Sequence, residues 1–274
     1  SNDNYFEWRF GNIYYTKKGT GSPILLIHDT LPGASGYEWS KIEDELAIDH
    51  TVYTVDLLGC GRSDKSSNTN FVYVQMISDF IKKIIGQKTD VIASGFSGSF
   101  VTMACHNEKE LFNKIMLVNP PSLTQLKQMP NRKDRLLKAA LEIPIFGTLV
   151  YHMIVSRDNI NNLFIEKMYY NPFHVDNQMA DAYYEAAHKG GYYTRFLYSS
   201  LAAKYININI CHALKALDNS IYIVEGETEP NGKAVTDDYC ATNPAIEVSI
   251  LKETKHLPHV EAPEAFLEQV KIFF

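Results

Sequence analysis

Residues 95–99 (G-F-S-G-S) place a serine between glycines, after the apolar run Val91–Ala93 and before a helical pattern that begins near Phe100. A strand, a sharp turn and a helix form the context that a G-x-S-x-G nucleophile turn requires. We expect Ser97 to adopt a strained backbone conformation at the helix N-terminus, where the amide of Gly98 would stabilise negative charge on a substrate oxygen. The alternative is that the five residues form only a flexible loop.

A serine hydroxyl is a weak nucleophile until a base takes its proton, so a histidine oriented by a carboxylate is expected elsewhere in the chain. His256 follows the last predicted strand, and Glu227 and Glu229 follow the strand before it. Ligands bind at the carboxyl ends of strands in open α/β sheets. The order serine, acid, histidine is therefore available at one edge of the predicted sheet.

Short apolar runs alternate with stretches of helical period, which predicts an α/β protein with a mainly parallel, doubly wound sheet of about eight strands. The predicted strands are an opening hairpin (6–10 and 13–15) and six buried strands (24–27, 51–56, 91–93, 114–118, 221–224 and 248–251). Between 122 and 213 helical patterns dominate. We therefore predict a core of residues 1–121 and 214–274, with residues 122–213 as an inserted helical cap.

Four segments together resemble the α/β-hydrolase fold superfamily with an inserted lid: L-I-H ending at His28, D-L-L-G-C-G-R-S-D from Asp56, the turn at 95–99, and the run from His256 to Glu264. The resemblance covers nearly the whole chain. It implies that Ser97 is the nucleophile, Glu229 the acid and His256 the base. It also implies that the amide of Thr30 joins that of Gly98 in holding an oxyanion.

The chain departs from the family pattern at several positions. Asp29 stands where members usually carry glycine, and its carboxylate opposes the oxyanion, points away, or binds turn amides locally. Glu229 stands where aspartate is more common, which leaves Glu227 and Asp218 as rival acids. Ser99 and Lys255 replace glycines beside the turn and the histidine. An aspartate nucleophile, as in haloalkane dehalogenases and epoxide hydrolases of this fold, is excluded on the ground that Ser97 occupies the turn.

The leading hypothesis is a cytoplasmic serine hydrolase that cleaves a small carboxylic ester, thioester or related acyl compound through an acyl-enzyme, without a cofactor or metal. A cofactor-free lyase or peroxidase-type enzyme, or a binding protein that has lost turnover, are the alternatives. Asp29, Phe96, Tyr151 and Tyr183 are the predicted substrate-binding residues. Nine tyrosines in the predicted cap either line a pocket or pack its core: Tyr151, Tyr169, Tyr170, Tyr183, Tyr184, Tyr192, Tyr193, Tyr198 and Tyr205.

Composition narrows the range of partners. The net charge of -6 lacks the basic footprint that nucleic acids select, and neither a G-x-G-x-x-G nor a P-loop pattern for a nucleotide cofactor occurs. The spacing of His256, His259 and Glu261 permits a metal cluster but lacks the H-E-x-x-H form.

Four isolated cysteines favour reduced thiols, and the first residues lack a signal-peptide pattern. The uncharged run Ile143–Val155 is too short to span a bilayer; it forms a buried helix, an acyl-chain wall or a membrane-surface contact.

Overall fold

Eight strands form one sheet among the residues that the computed structural model describes, which are 3–66, 68–190 and 193–274. The spatial order is β1-β2-β4-β3-β5-β6-β7-β8; β1 and β2 are antiparallel and the other pairings are parallel except β2 with β4. The predicted mainly parallel α/β sheet and its leading hairpin are confirmed. The strands are β1 (Asp3–Trp8), β2 (Gly11–Lys18), β3 (Ser22–Ile27), β4 (His50–Val55), β5 (Thr89–Ser94), β6 (Phe112–Val118), β7 (Ile221–Gly226) and β8 (Glu247–Leu251).

Helices cover both faces of this sheet. They are α1 (Glu43–Leu46), α2 (Asn70–Phe80), α3 (Ser97–Asn107), α4 (Leu123–Leu126), α5 (Arg132–Leu141), α6 (Pro144–Ile154), α7 (Arg157–Leu163), α8 (Asn177–His188), α9 (Arg195–Ala202), α10 (Cys211–Ala216), α11 (Gly232–Thr242), α12 (Pro258–Glu261) and α13 (Pro263–Phe273). Short 3-10 or π segments supplement them at Gly36–Trp39, Ile81–Ile85, Lys109–Leu111, Phe164–Met168 and Pro172–His174.

The central strands are apolar on both faces because helices cover both. Ile24 and Leu26 of β3 pack in one core cluster with Trp39 and Phe266, whereas Leu25 and Ile27 pack in the cluster on the opposite face. Alternate side chains of a strand point to opposite faces, so a strand buried on both must be apolar throughout. The α2 region ends at a left-handed glycine, Gly86, with φ +70°.

Residues 122–213 carry helices α4 to α9, and α10 begins within them at Cys211; the described part contains no strand. Tyr151 and Tyr183 are buried in a cluster that also contains Ala34, Leu257 and Val260 from outside the segment, and the Tyr151 hydroxyl donates to the carbonyl of Ala187 at 2.6 Å. Their rings are buried at the contact between this segment and the rest of the chain, and a role of the two tyrosines in substrate binding stays a prediction. Tyr192 lies outside the described residues.

The uncharged run Ile143–Val155 forms α6 and its flanks. Gly147, Tyr151 and Val155 are its buried positions, whereas Ile145 and Met153 are 78% and 72% exposed. The expectation of a buried helix is therefore wrong for most of the run. Among the described residues no single helix has the length and apolar composition to cross a membrane, although α5 and α6, bent by 94°, pass that test as a pair.

Candidate active site

The loops that follow β3, β5, β7 and β8 meet at the carboxyl edge of the sheet. Asp29 follows β3, Gly95 follows β5, Glu229 follows β7 and His256 follows β8. Because β3 and β5 are neighbours, with Ile27 level with Ala93, the first two loops lie side by side. This edge is where open α/β sheets bind ligands, and it is the edge at which the sequence predicts the site.

Gly95, and not Ser97, lies at the apex of the turn between β5 and α3. Its φ is +54°, a left-handed conformation that glycine adopts without strain, whereas Phe96 has φ -61° and Ser97 is the first residue of α3. The prediction of a strained Ser97 is therefore wrong. The amide of Gly98 donates to the carbonyl of Gly95 at 3.2 Å, in the first turn of the helix. The prediction that this amide faces an oxyanion is wrong for the same reason.

Ser97 is fully buried, and its hydroxyl links two loops. Its Oγ donates to the carbonyl oxygen of His28 at 2.5 Å and lies 2.6 Å from the hydroxyl of Thr30. Both ring nitrogens of His256 contact carboxylates instead. The structure thus does not bring the predicted nucleophile to the predicted base, and a hydroxyl that donates to a main-chain carbonyl is not activated.

The carboxylate of Asp29 occupies the space where a side chain at position 95 would stand. A Cβ atom built on Gly95 would lie 2.3 Å from Asp29 Cγ and 2.4 Å from each of its carboxylate oxygens. Side-chain atoms do not approach so closely. A residue other than glycine at the turn and an aspartate at position 29 are therefore sterically exclusive in this arrangement.

Asp29 binds the groups that would serve a nucleophile at the turn. Its Oδ1 accepts from the amides of Phe96 at 2.9 Å and Thr30 at 2.7 Å, and its Oδ2 lies 2.8 Å from His256 Nε2. The amide of the residue after the nucleophile and an amide of the β3 loop are the two oxyanion donors of this type of turn. Of the alternatives for Asp29, the structure shows the carboxylate on the oxyanion donors. The amide of Phe96 was not predicted from the sequence, because the predicted apex at Ser97 lies two residues after the observed one at Gly95.

His256 lies between two carboxylates. Its Nδ1 is 2.7 Å from Glu229 Oε2, on the side opposite Asp29. Burial lowers the pKa of His256, but hydrogen bonds and charge interactions with Asp29 and Glu229 outweigh burial and hold this pKa well above its ordinary value. The ring is therefore an imidazolium near neutral pH.

The rival acids of Glu229 lie elsewhere. Asp218 is exposed and 3.9 Å from Lys109, and Glu227 accepts from the amide of Glu253 at 3.3 Å. The residues of the possible metal cluster diverge too: His259 stacks on Trp39 with ring centroids 4.3 Å apart, and Glu261 accepts from the amides of Lys255 and Tyr170.

A buried glutamate supports the Asp29 loop from behind. Glu38 accepts from the main-chain amide of Asp29 at 3.1 Å and from the Ser94 hydroxyl at 2.9 Å. His28 holds the same loop, since its Nε2 accepts from the amide of Leu57 at 3.0 Å. His28 belongs to the L-I-H segment that carries the family resemblance, whereas the sequence carries no signal that singles out Glu38.

A cavity of about 400 Å³ opens onto the Asp29 carboxylate. Its lining includes Asp29, Phe96, Glu229 and His256, with apolar surface from Leu31, Pro120, Leu201 and Val235. A cavity of this size accommodates a small organic molecule. Asp29 and Phe96 therefore lie where substrate-binding residues are expected.

A sequence model of the alpha/beta hydrolase family matches residues 24–269, about nine-tenths of the chain. The chain belongs to this family. A soluble epoxide hydrolase of Corynebacterium sp. (strain C12) is 27% identical over 111 residues, which are 39% of this chain and 37% of the relative. A pimeloyl-[acyl-carrier protein] methyl ester esterase of Aliivibrio fischeri is 26% identical over 110 residues, 39% of this chain and 40% of the relative. These alignments span about two-fifths of the curated relatives, which are hydrolases.

Solved structures show the same fold over the whole chain. A bromoperoxidase from Bacillus anthracis superimposes with a TM-score of 0.79 at 14% identity, covering 99% of both chains. A meta-cleavage product hydrolase from Pseudomonas fluorescens IP01 superimposes with a TM-score of 0.78 at 18% identity, covering 99% of this chain and 97% of the other. At these identities the likeness is one of fold.

Proposed function

We propose that this chain is a hydrolase whose nucleophile is the carboxylate of Asp29. The observation that carries the proposal is that this carboxylate fills the side-chain space of the turn, with one oxygen on two amides and the other on His256. Carboxylates do serve as covalent nucleophiles in enzymes. The serine-dependent hydrolysis of an acyl compound, predicted from the sequence, has no such geometric support at Ser97.

The arrangement fits attack on a saturated electrophilic carbon, as in a strained cyclic ether. Asp29 Oδ2 would form a bond to a ring carbon while the ring C–O bond breaks. The released oxygen would take the Nε2 proton of His256. The products of this step are a hydroxyalkyl ester of Asp29 and a neutral histidine.

Ester formation converts His256 from an acid to a base. The charge of Asp29 is one cause of the raised pKa of His256, so loss of that charge lowers the pKa. His256 would then take a proton from water while the oxygen of that water attacks Asp29 Cγ. The Phe96 and Thr30 amides would hold the resulting oxyanion on Oδ1.

Collapse of this intermediate would break the bond between Cγ and Oδ2 and release a diol, whose departing oxygen takes the proton from His256. The carboxyl group formed at Asp29 would then return its proton to the histidine. Glu229 would hold the ring and stabilise its cationic form throughout, as the acid of a triad does.

Covalent trapping tests this proposal. Wild-type protein mixed with an excess of a small terminal epoxide and quenched in acid within the first turnover should carry an adduct, because formation of the hydroxyalkyl ester of Asp29 precedes its hydrolysis. Peptide mass spectrometry should place the adduct on Asp29. Asp29→Asn should abolish it, and Ser97→Ala should not. An adduct on Ser97, or equal labelling of the Asp29→Asn variant, would contradict the proposal.

A second candidate, a binding protein without turnover, is favoured by one observation. Both oxygens of Asp29 are already engaged, and the side chain is only 7% exposed. In that case the carboxylate would act as a plug in the oxyanion site. Wild-type protein that binds epoxides reversibly in the cavity, with no adduct after an acid quench, would support this candidate over the first.

A further inference from the structure

Helix α6 is mostly apolar, with Thr148, Tyr151 and His152 as its polar side chains. Gly147 and Tyr151 face inward and are buried, whereas Ile145, Leu149 and Met153, spaced four residues apart, are 78%, 62% and 72% exposed on the other side. A surface helix ordinarily carries polar residues on its outer face, and one that is apolar all round is normally covered. The outer face of α6 therefore exposes large apolar side chains to water.

The exposed apolar surface extends onto α5, which meets α6 at a bend of 94°. Of the nineteen exposed large hydrophobic residues described in the chain, eight lie between 129 and 153. We call this set the α5–α6 face: Met129, Leu136, Leu137, Ile143, Ile145, Phe146, Leu149 and Met153. Concentrated apolar surface of this kind marks an interaction site.

The same segment is cationic although the whole chain is acidic. Residues 127–155 contain five lysines and arginines against two acids, whereas the chain carries -6 overall. The two acids are engaged, Asp134 with Lys204 at 3.4 Å and Glu142 with Lys138 at 2.5 Å. Within the described ranges, no carboxylate lies within ion-pair distance of Arg132, Lys133 or Arg135.

We propose that the α5–α6 face docks on the surface of a membrane that contains anionic lipids. Apolar helical faces bordered by Lys and Arg bind at the boundary between headgroups and acyl chains, and each cation near an anionic surface adds to the affinity. A second copy of the chain fits less well, because a two-fold contact through this face would bring the cations of both copies together. This docking is separate from the chemistry proposed for Asp29.

Co-sedimentation of the full chain with vesicles tests the proposal. We expect binding to vesicles of phosphatidylcholine with one-third phosphatidylglycerol, little binding to phosphatidylcholine alone, and release in about 1 M salt, where charges are screened within about 3 Å. Replacing Arg132, Lys133 and Arg135 by glutamine should weaken binding about fivefold per charge, or about a hundredfold together.

Matched variants distinguish binding through the α5–α6 face from nonspecific hydrophobic adsorption to the vesicles. Leu149→Gln with Met153→Gln should weaken binding at least about tenfold, since both side chains would lie among acyl chains. Ile48→Gln with Ile272→Gln, 67% and 73% exposed on the core, should leave it unchanged. All four positions are exposed, so the variants are expected to fold, and circular dichroism checks that they do.

Three results would overturn the proposal. One is a failure of the folded wild-type chain to bind the anionic vesicles. The second is equal binding by the α5–α6 variants and the core variants. The third is a concentration-dependent dimer in sedimentation equilibrium that Leu149→Gln with Met153→Gln abolishes, which would show that a second copy covers the face.

Discussion

The steric exclusion between Gly95 and Asp29 predicts a strong coupling between two substitutions. In Gly95→Ala the new methyl group would overlap the Asp29 carboxylate, whose three atoms lie 2.3 to 2.4 Å from that position. The carboxylate must then leave. In Asp29→Ala those three atoms are absent, so the same methyl group finds room.

The expected loss of stability in Gly95→Ala follows from the hydrogen bonds that the displaced Asp29 carboxylate loses. A left-handed alanine costs about 1 to 2 kcal/mol. Loss of two of the three bonds that Asp29 forms with Phe96, Thr30 and His256 costs a further 3 to 6 kcal/mol or so, at about 1.5 to 3 kcal/mol for each charged hydrogen bond. We therefore expect Gly95→Ala to destabilise the wild-type chain by about 4 kcal/mol or more, but the Asp29→Ala background by only about 1 to 2 kcal/mol.

Denaturant unfolding of the wild type, both single variants and the double variant measures the coupling as a double-mutant cycle. Gly86→Ala is the matched control, because Gly86 has φ +70° but no atom within 4 Å of its Cβ position. Gly86→Ala should lower the free energy of unfolding only by the strain of a left-handed alanine, and by the same amount in the wild-type and Asp29→Ala backgrounds.

Additivity of the two substitutions within about 0.5 kcal/mol would refute the steric exclusion between Asp29 and a side chain at position 95. Should Gly95→Ala fail to fold, rescue of folding by Asp29→Ala supports the reasoning, and failure of that rescue contradicts it.

Three further predictions follow from the site and its surroundings. The combination Gly95→Ser with Asp29→Ala should create a serine that a fluorophosphonate labels at position 95, since His256 Nε2 and the two amides become available; wild type should not be labelled at Ser97, as peptide masses would show. Because the folded-state pKa of His256 is raised, its protonation stabilises the fold fully below about pH 6.5, and this contribution declines as the pH rises through the folded-state pKa. The gap in free energy of unfolding between wild type and His256→Gln should shrink accordingly, and a gap independent of pH would contradict the charged state of the ring. Burial raises the pKa of Cys60 and Cys105 to about 12, so an aromatic disulfide reagent at about pH 8 should modify only Cys211 and Cys240 in the native chain.

The sequence predicted the fold because periodicity and strand order are local signals. Ile24–Ile27 and Val91–Ala93 were predicted as buried strands from their own residue types. Strand order alone placed Glu227, Glu229 and His256 at one edge, and the resemblance to the hydrolase fold implied that Glu229 is the partner of His256, which it contacts. The burial of the residues between β6 and β7 was harder to predict, because α6 is apolar yet largely exposed, whereas apolar helices are ordinarily buried.

The turn at 95–99 was misplaced because two patterns overlap there. Gly95-x-Ser97-x-Ser99 resembles the expected motif, but Ala93-x-Gly95-x-Ser97 also has a central residue flanked by small ones. The choice depends on whether β5 ends at Ala93 or Ser94, and the observed strand ends at Ser94. Hydrophobic periodicity does not locate the end of a strand to within one residue. Asp29, which stands where the family usually has glycine, was nevertheless a usable signal for the position of the turn. A side chain in place of a glycine on the β3 loop demands free space on the neighbouring loop, which Gly95 supplies.

The fate of water oxygen tests the role of Asp29 most directly. A carboxylate nucleophile regenerated by attack of water on Cγ must acquire an oxygen atom from solvent. After many turnovers of an epoxide in oxygen-18 water, we predict that the Asp29 peptide carries the heavy isotope and that Glu229 and Ser97 peptides do not. Turnover that leaves Asp29 unlabelled, with all of the heavy oxygen in the product, would contradict covalent catalysis by this carboxylate.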